Sequence, residues 1–260
     1  MRQRVLQEWR RFREAAASLD KQTVFVLTAA ALIVIVHHKF GSRRFFNTEL
    51  SEYFPVRWRG LLGWGWWFFV QGMLGFVVPL LCLRFFFKRK PAEMGLGLGD
   101  WKFALTIAAL YLPLVIVGTW ILSDGGDFRA KYPHYKGIAR DWEFFLVYEM
   151  LFLFYWMGWE YLWRGFVQFG TRHTLGLYAI FVQMVPFAVR HVEKPFAEGI
   201  LSVLGGVALG ALCWRCRSFW IAVPIHSAQM LFLDLWCTLR IRTGATGTGL
   251  DALQQALGGS

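Results

Sequence analysis

Charged residues are scarce in this chain. Asp, Glu, Lys and Arg make up 17% of its 260 residues, against about a quarter in ordinary soluble domains. The shortage excludes a water-soluble domain and leaves the membrane class, which 25 Phe, 14 Trp and a 56% hydrophobic content support. Acidic side chains are the scarcer sign, 17 against 28 Lys and Arg, and the formal net charge is +11. The basic residues flank long apolar runs and form no patch of their own. That placement excludes nucleic acid as a partner and fits an anionic lipid surface. Cysteine is limited to Cys82, Cys213, Cys216 and Cys237. Cys213 and Cys216 have the spacing of a redox or zinc pair, yet no second Cys or His pair lies near them in sequence. Two small apolar residues at a helix end is the simpler reading. Internal repeats and low-complexity tracts are absent, which weighs against a transporter built on inverted repeats with Glu160 as its proton site.

What is present is a series of apolar segments. Residues 1–22 are basic and amphipathic. Val5, Trp9, Phe12, Ala16 and Leu19 recur at helical spacing among Arg2, Arg4, Arg10, Arg11 and Arg13, as in a helix lying in a membrane interface or, alternatively, packed on the rest of the protein. No cleavable signal peptide is expected, because the first apolar run starts at Thr23 and ends in His37-His38-Lys39. Candidate spans follow at 23–38, 61–83, 103–122, 142–162, 174–190, 198–213 and 218–237. Several are shorter than the roughly 20 residues of a straight crossing and call for tilt or extension. The expected fold is therefore an all-α polytopic transmembrane bundle of about seven or eight spans with an N-terminal interfacial helix. Its parts would be 1–22, an N-terminal membrane portion 23–141, a functional membrane core 142–237 and a loose tail 238–260 rich in Gly and Thr. Lys88 to Lys90 and Arg215 to Arg217 read as cytoplasmic together with the N-terminus, in a bacterial inner membrane.

Ionisable residues at membrane depth concentrate in the second half. Glu160 and Arg164 lie one helical turn apart, so their side chains meet. A charge at mid-membrane costs about 2.5–3.5 kcal/mol or more, so such residues face the bundle interior and mark function, or form a structural ion pair. Further on stand Phe187-Ala-Val-Arg190-His191 and Pro224-Ile-His226-Ser-Ala-Gln229-Met230. One carboxylate with two imidazoles is what a water-activating site needs: an acceptor for the proton, and donors for a developing oxyanion. Glu149, three turns before Glu160, reads as an interface anchor. Glu193, Lys194 and Glu198 follow His191 in a Pro-containing connection and read as solvated loop charges, with entry of Glu198 into the cavity as the alternative. Arg190 reads as a partner for a carboxylate.

Glu160-x-x-x-Arg164, Phe187-x-x-x-His191 and His226, in this order, resemble the three motifs of the CPBP family, the CAAX prenyl protease 2 and bacteriocin-processing intramembrane endopeptidases. The resemblance covers about 142–236. It extends to Arg164-Gly165-Phe166, the glycines of 205–210, and Glu93-Met-Gly-Leu-Gly-Leu. It implies hydrolysis of a peptide bond in a membrane-embedded or membrane-anchored protein or peptide, by glutamate-activated water and without a covalent intermediate. Glu160 and His191 would activate the water, Arg164 would fix the helix, and His226 would stabilise the oxyanion. No cofactor is expected; one Glu with two His does not select zinc over direct glutamate catalysis. Two positions depart from the family pattern. Trp159 stands where the first motif has its first Glu, and Met230, which cannot donate a hydrogen bond, stands at an Asn/Asp position, with Gln229 beside it. The alternative reading is accordingly a non-catalytic membrane scaffold or an immunity or maturation factor.

Overall fold

A computed structural model describes residues 1–258, and every regular element among them is helical. The chain runs through α1 (Arg2–Ala17) and α2 (Lys21–Phe40), then α3, which starts at Val56–Gly72 and continues to Phe86. After α4 (Trp101–Leu122) comes α5, which starts at Trp142–Glu160 and continues through a π-helical stretch, Tyr161–Phe169, into Gly170–Leu175. The rest is α6 (Tyr178–Val189), α7 (Phe196–Cys216), α8 (Ala222–Thr243) and α9 (Leu250–Gly258). Four helices among the described residues are long and apolar enough to cross a membrane: Lys21–Tyr53, Val56–Phe86, Trp101–Leu122 and Phe196–Cys216.

Local chemistry sets several of the ends. Asp20, Asp100 and Asp141 each accept a hydrogen bond from a backbone N–H in the first turn of α2, α4 and α5, satisfying donors a helix start leaves free. Gly244, at φ 72°, terminates α8 in the left-handed conformation. On α1 no residue is buried, and Val5, Trp9 and Phe12 are all exposed.

The packing centres on α5. Every residue from Gly158 to Thr171 is buried, so this part of the chain is enclosed on all sides. Helix α3 runs along α5, α6 along α7, and α4 along α8, while α8 also packs on α5. Where α3 meets α5 the backbones come into close approach. A Cβ on Gly75 would collide with the Gly158 carbonyl, and a Cβ on Gly158 would collide with the backbone of Gln71 and Gly72. Small residues at such a crossing allow the van der Waals contact that holds apolar helices together.

Two expectations need correction here. The tail expected to be loose over 238–260 is ordered as far as it is described, and residues 259–260 lie outside the described residues. Helix α8 continues to Thr243, and Ala252 and Ala256 of α9 pack in a cluster with Trp120, Trp236 and Leu239. The buried Arg240 guanidinium donates to the Ala245 and Gly247 carbonyls and to Ser123 and Asp124, which pins the Gly-Thr segment down. The span expected to end at 162 does not end there either, since the helical path of α5 continues to Leu175.

Candidate active site

Glu160 and Arg164 lie where α5 passes into its π-helical stretch, and both side chains are fully buried. Arg164 Nη1 donates to Glu160 Oε1 at 3.2 Å and lies 3.1 Å from Oε2. The Arg164 guanidinium also stacks 4.1 Å from the centre of the Phe187 ring, which brings the cation of the first motif onto the aromatic of the second. Its Nε and Nη2 have no acceptor, so the pair with Glu160 carries most of its compensation.

His226, on α8, closes the arrangement. Its Nδ1 lies 2.6 Å from Glu160 Oε1, and its ring packs 4.2 Å from that of Trp156. An ionised carboxylate only accepts, so Nδ1 carries the hydrogen and Nε2 remains for a ligand. His191 follows the end of α6 and is fixed in the same manner: Nδ1 lies 2.8 Å from the Phe187 carbonyl, which makes Nε2 the acceptor of the neutral ring. The Phe187 ring stands between the histidines, 4.8 Å from one and 5.9 Å from the other.

Both imidazoles line two adjoining cavities. The larger, about 680 Å³, is an apolar groove between α4, α7 and α8, with Phe103, Ile107, Leu114, Val115, Leu209 and Leu212 among its walls. The smaller, about 70 Å³, lies behind the histidines against Trp67, Tyr155, Trp156 and Trp159. The cavities have four residues in common: His191, Glu198, His226 and Met230.

The sequence-predicted residues thus come together unequally. His191 and His226 converge on one space. Glu160 and Arg164 stand behind His226 and line neither cavity. Trp159 does line the smaller one, with its ring centre 6.1 Å from that of His191 and no acceptor for its indole N–H. Met230 lines both cavities, and Gln229 donates to Tyr111 Oη at 2.6 Å rather than to His226. Glu198, read from sequence as a solvated charge, is in the first turn of α7 with its side chain only 18% exposed. Its proximity to His191 in sequence was the one signal that could have found it. Glu149 is half-buried and close to Asp234 of α8, a fully buried carboxyl group. No group of three or more His, Cys, Asp or Glu able to hold a metal occurs among the described residues.

Loop residues surround Glu198. Tyr132 Oη lies 2.7 and 2.6 Å from its two carboxyl oxygens, and Lys194 Nζ lies 3.6 Å from one of them. Lys194 also donates to Tyr132 Oη at 2.6 Å and to His134 Nε2 at 3.0 Å. Burial, reinforced by the Lys194 ammonium, presses His134 well below the usual imidazole range. The ring is therefore neutral and able to accept from Lys194, while its Nδ1 faces the Lys131 carbonyl. Burial, together with the Glu198 charge, holds the Tyr132 phenol well above its ordinary value, so it serves as a donor.

Comparison with known proteins bears on one part of the chain. Residues 141–232 match the family model described as Rce1-like, type II CAAX prenyl endopeptidase. This segment contains all three motifs, and the family is one of proteases. No curated protein and no solved structure matches the chain.

Proposed function

We propose that this Rce1-like core makes the protein an intramembrane endopeptidase, hydrolysing a peptide bond of a membrane-embedded or membrane-anchored protein or peptide with water. The observation that carries the reading is the convergence of His226, from α8, and His191, from the turn after α6, on the same two cavities, the larger of them an apolar groove. A carboxylate is braced behind one of them. His191, with Nδ1 committed to the backbone, presents an acceptor that orients water. In its imidazolium form, which the Glu160 carboxylate at Nδ1 stabilises, His226 donates from Nε2 to the developing oxyanion. Arg164 fixes Glu160. Glu160 thereby acts on the reaction at one remove. The remaining helices complete a bundle of about seven or eight spans, with a cytoplasmic N-terminus and α1 lying in the interface.

The test uses the purified full chain in lipid nanodiscs, mixed with membrane-protein extract from cells lacking it, with new peptide termini counted by mass spectrometry. Wild type is expected to create termini, and His226→Ala or His191→Ala to reduce their rate of appearance about 10²–10³-fold. Trp159, in place of a carboxylate, favours the second reading, a non-catalytic scaffold. In that case no termini appear and the His variants behave as wild type.

The interfacial role of α1 has its own measurement. A peptide of residues 1–19 is expected to partition into vesicles containing phosphatidylserine but weakly into neutral ones. Replacing Arg2, Arg4, Arg10, Arg11 and Arg13 by Gln should weaken partitioning by about 1 kcal/mol per residue close to the surface. Equal binding to both kinds of vesicle would exclude the electrostatic part.

A further inference from the structure

Glu198 is the only carboxylate among the described residues that lines either cavity, and it lines both, together with His191 and His226. We propose that Glu198 is the catalytic base that takes the proton from the attacking water. The inference rests on the peptidase reading and supplies what that reading lacks. Glu160 is fully buried and committed to Arg164 and His226, and the side chain at 159 is an indole. A base must reach the water it deprotonates, and geometry decides this before basicity does.

The surroundings of Glu198 suit the task. Tyr132 and Lys194 approach its carboxyl group from the loop side and fix its orientation. A carboxylate has about four lone-pair sites, so these contacts leave capacity for water. His134, Lys194, Tyr132 and Glu198 form a continuous hydrogen-bonded chain from the loop to the cavity. In the proposed step, water oxygen bonds to the carbonyl carbon while its proton passes to Glu198. The carbonyl electron pair moves to the oxygen, which faces His226. Collapse of this adduct breaks the C–N bond, and the proton on Glu198 moves to the departing nitrogen, restoring the carboxylate. Hydrolysis is balanced without a metal, an oxidant or a covalent enzyme intermediate.

The nanodisc assay tests the assignment with Glu198→Ala, Glu198→Asp and Tyr132→Phe, each accompanied by a thermal unfolding midpoint. Glu198→Ala is expected to lose about 10²–10⁴-fold in rate. Added formate should restore part of this loss, because a small carboxylate can occupy the space left, whereas a purely structural ion pair would not respond. Glu198→Asp should retain measurable cleavage. If Glu198→Ala cleaves within threefold of wild type while His226→Ala is silent, the Glu198 assignment falls and the peptidase reading stands. The assignment also falls if Glu198→Ala is silent, unresponsive to formate and unfolds as early as an equally silent Tyr132→Phe. If wild type creates no termini, both fall together.

Discussion

Arg164→Ala is expected to lower the stability of the folded protein by about 3–5 kcal/mol, the cost of leaving one member of a buried ion pair uncompensated. The residue left behind is Glu160, fully buried, with only His226 Nδ1 within hydrogen-bond distance once the guanidinium is gone. The guanidinium also covers the Phe187 ring, so the change opens space at the second motif as well. Thermal unfolding in detergent reads the loss. A double variant, Glu160→Gln with Arg164→Met, is expected to regain most of the stability, because both charges leave together and the volume is largely kept. It should nevertheless remain at least 100-fold slower in creating new termini, since His226 would no longer face a carboxylate. If the double variant is as unstable as Arg164→Ala, the ion pair is not what the single change removed. If it cleaves at the wild-type rate, Glu160 has no part in the chemistry.

Gly158→Val carries the second large effect. The added Cβ meets the backbone of Gln71 and Gly72, which cannot swing aside as a side chain tip can. Overpacking of this kind costs about 1–3 kcal/mol or more. The larger consequence is positional. Gly158 immediately precedes Trp159 and Glu160, so relief of the clash by parting α3 from α5 displaces Glu160 from His226. A misplacement of about 1 Å can cost 10²-fold in rate. The expected result is a protein that folds in reduced yield and cleaves about 100-fold more slowly. Gly176→Ala, at a glycine with open space around it but φ of 53°, should cost stability alone. A Gly158→Val protein with wild-type rate and midpoint would mean that the helices do not meet at this crossing.

The parts of this molecule legible in sequence are those governed by local composition. The apolar runs announced the helices, and the four-residue interval of Glu160 and Arg164 announced their contact, which the structure contains at 3.1 Å. Two histidines on apolar segments, together with an acid and an arginine, suggested a common site, and both rings line the same cavities. What was not legible depends on partners distant in the chain. Glu198 resembles any charge near a helix start until Tyr132, 66 residues earlier, is seen to hold it. The C-terminal segment has a loop's composition and is ordered by Arg240, whose guanidinium serves carbonyls no propensity scale connects to it. The resemblance implies a direct hold of Glu160 on water, and acidity at membrane depth agrees with it. Neither property reveals that His226 lies on its outer side.

The smaller cavity has a consequence for the supply of reagent. At about 70 Å³ it is large enough to hold water. On the peptidase reading, the water of hydrolysis would be drawn from a compartment about a tenth the volume of the groove beside it. Arg190 and Lys194 are among the residues that line this compartment. On the same reading, substitutions at Arg190 or Lys194 would alter how the site is supplied with water without touching either imidazole.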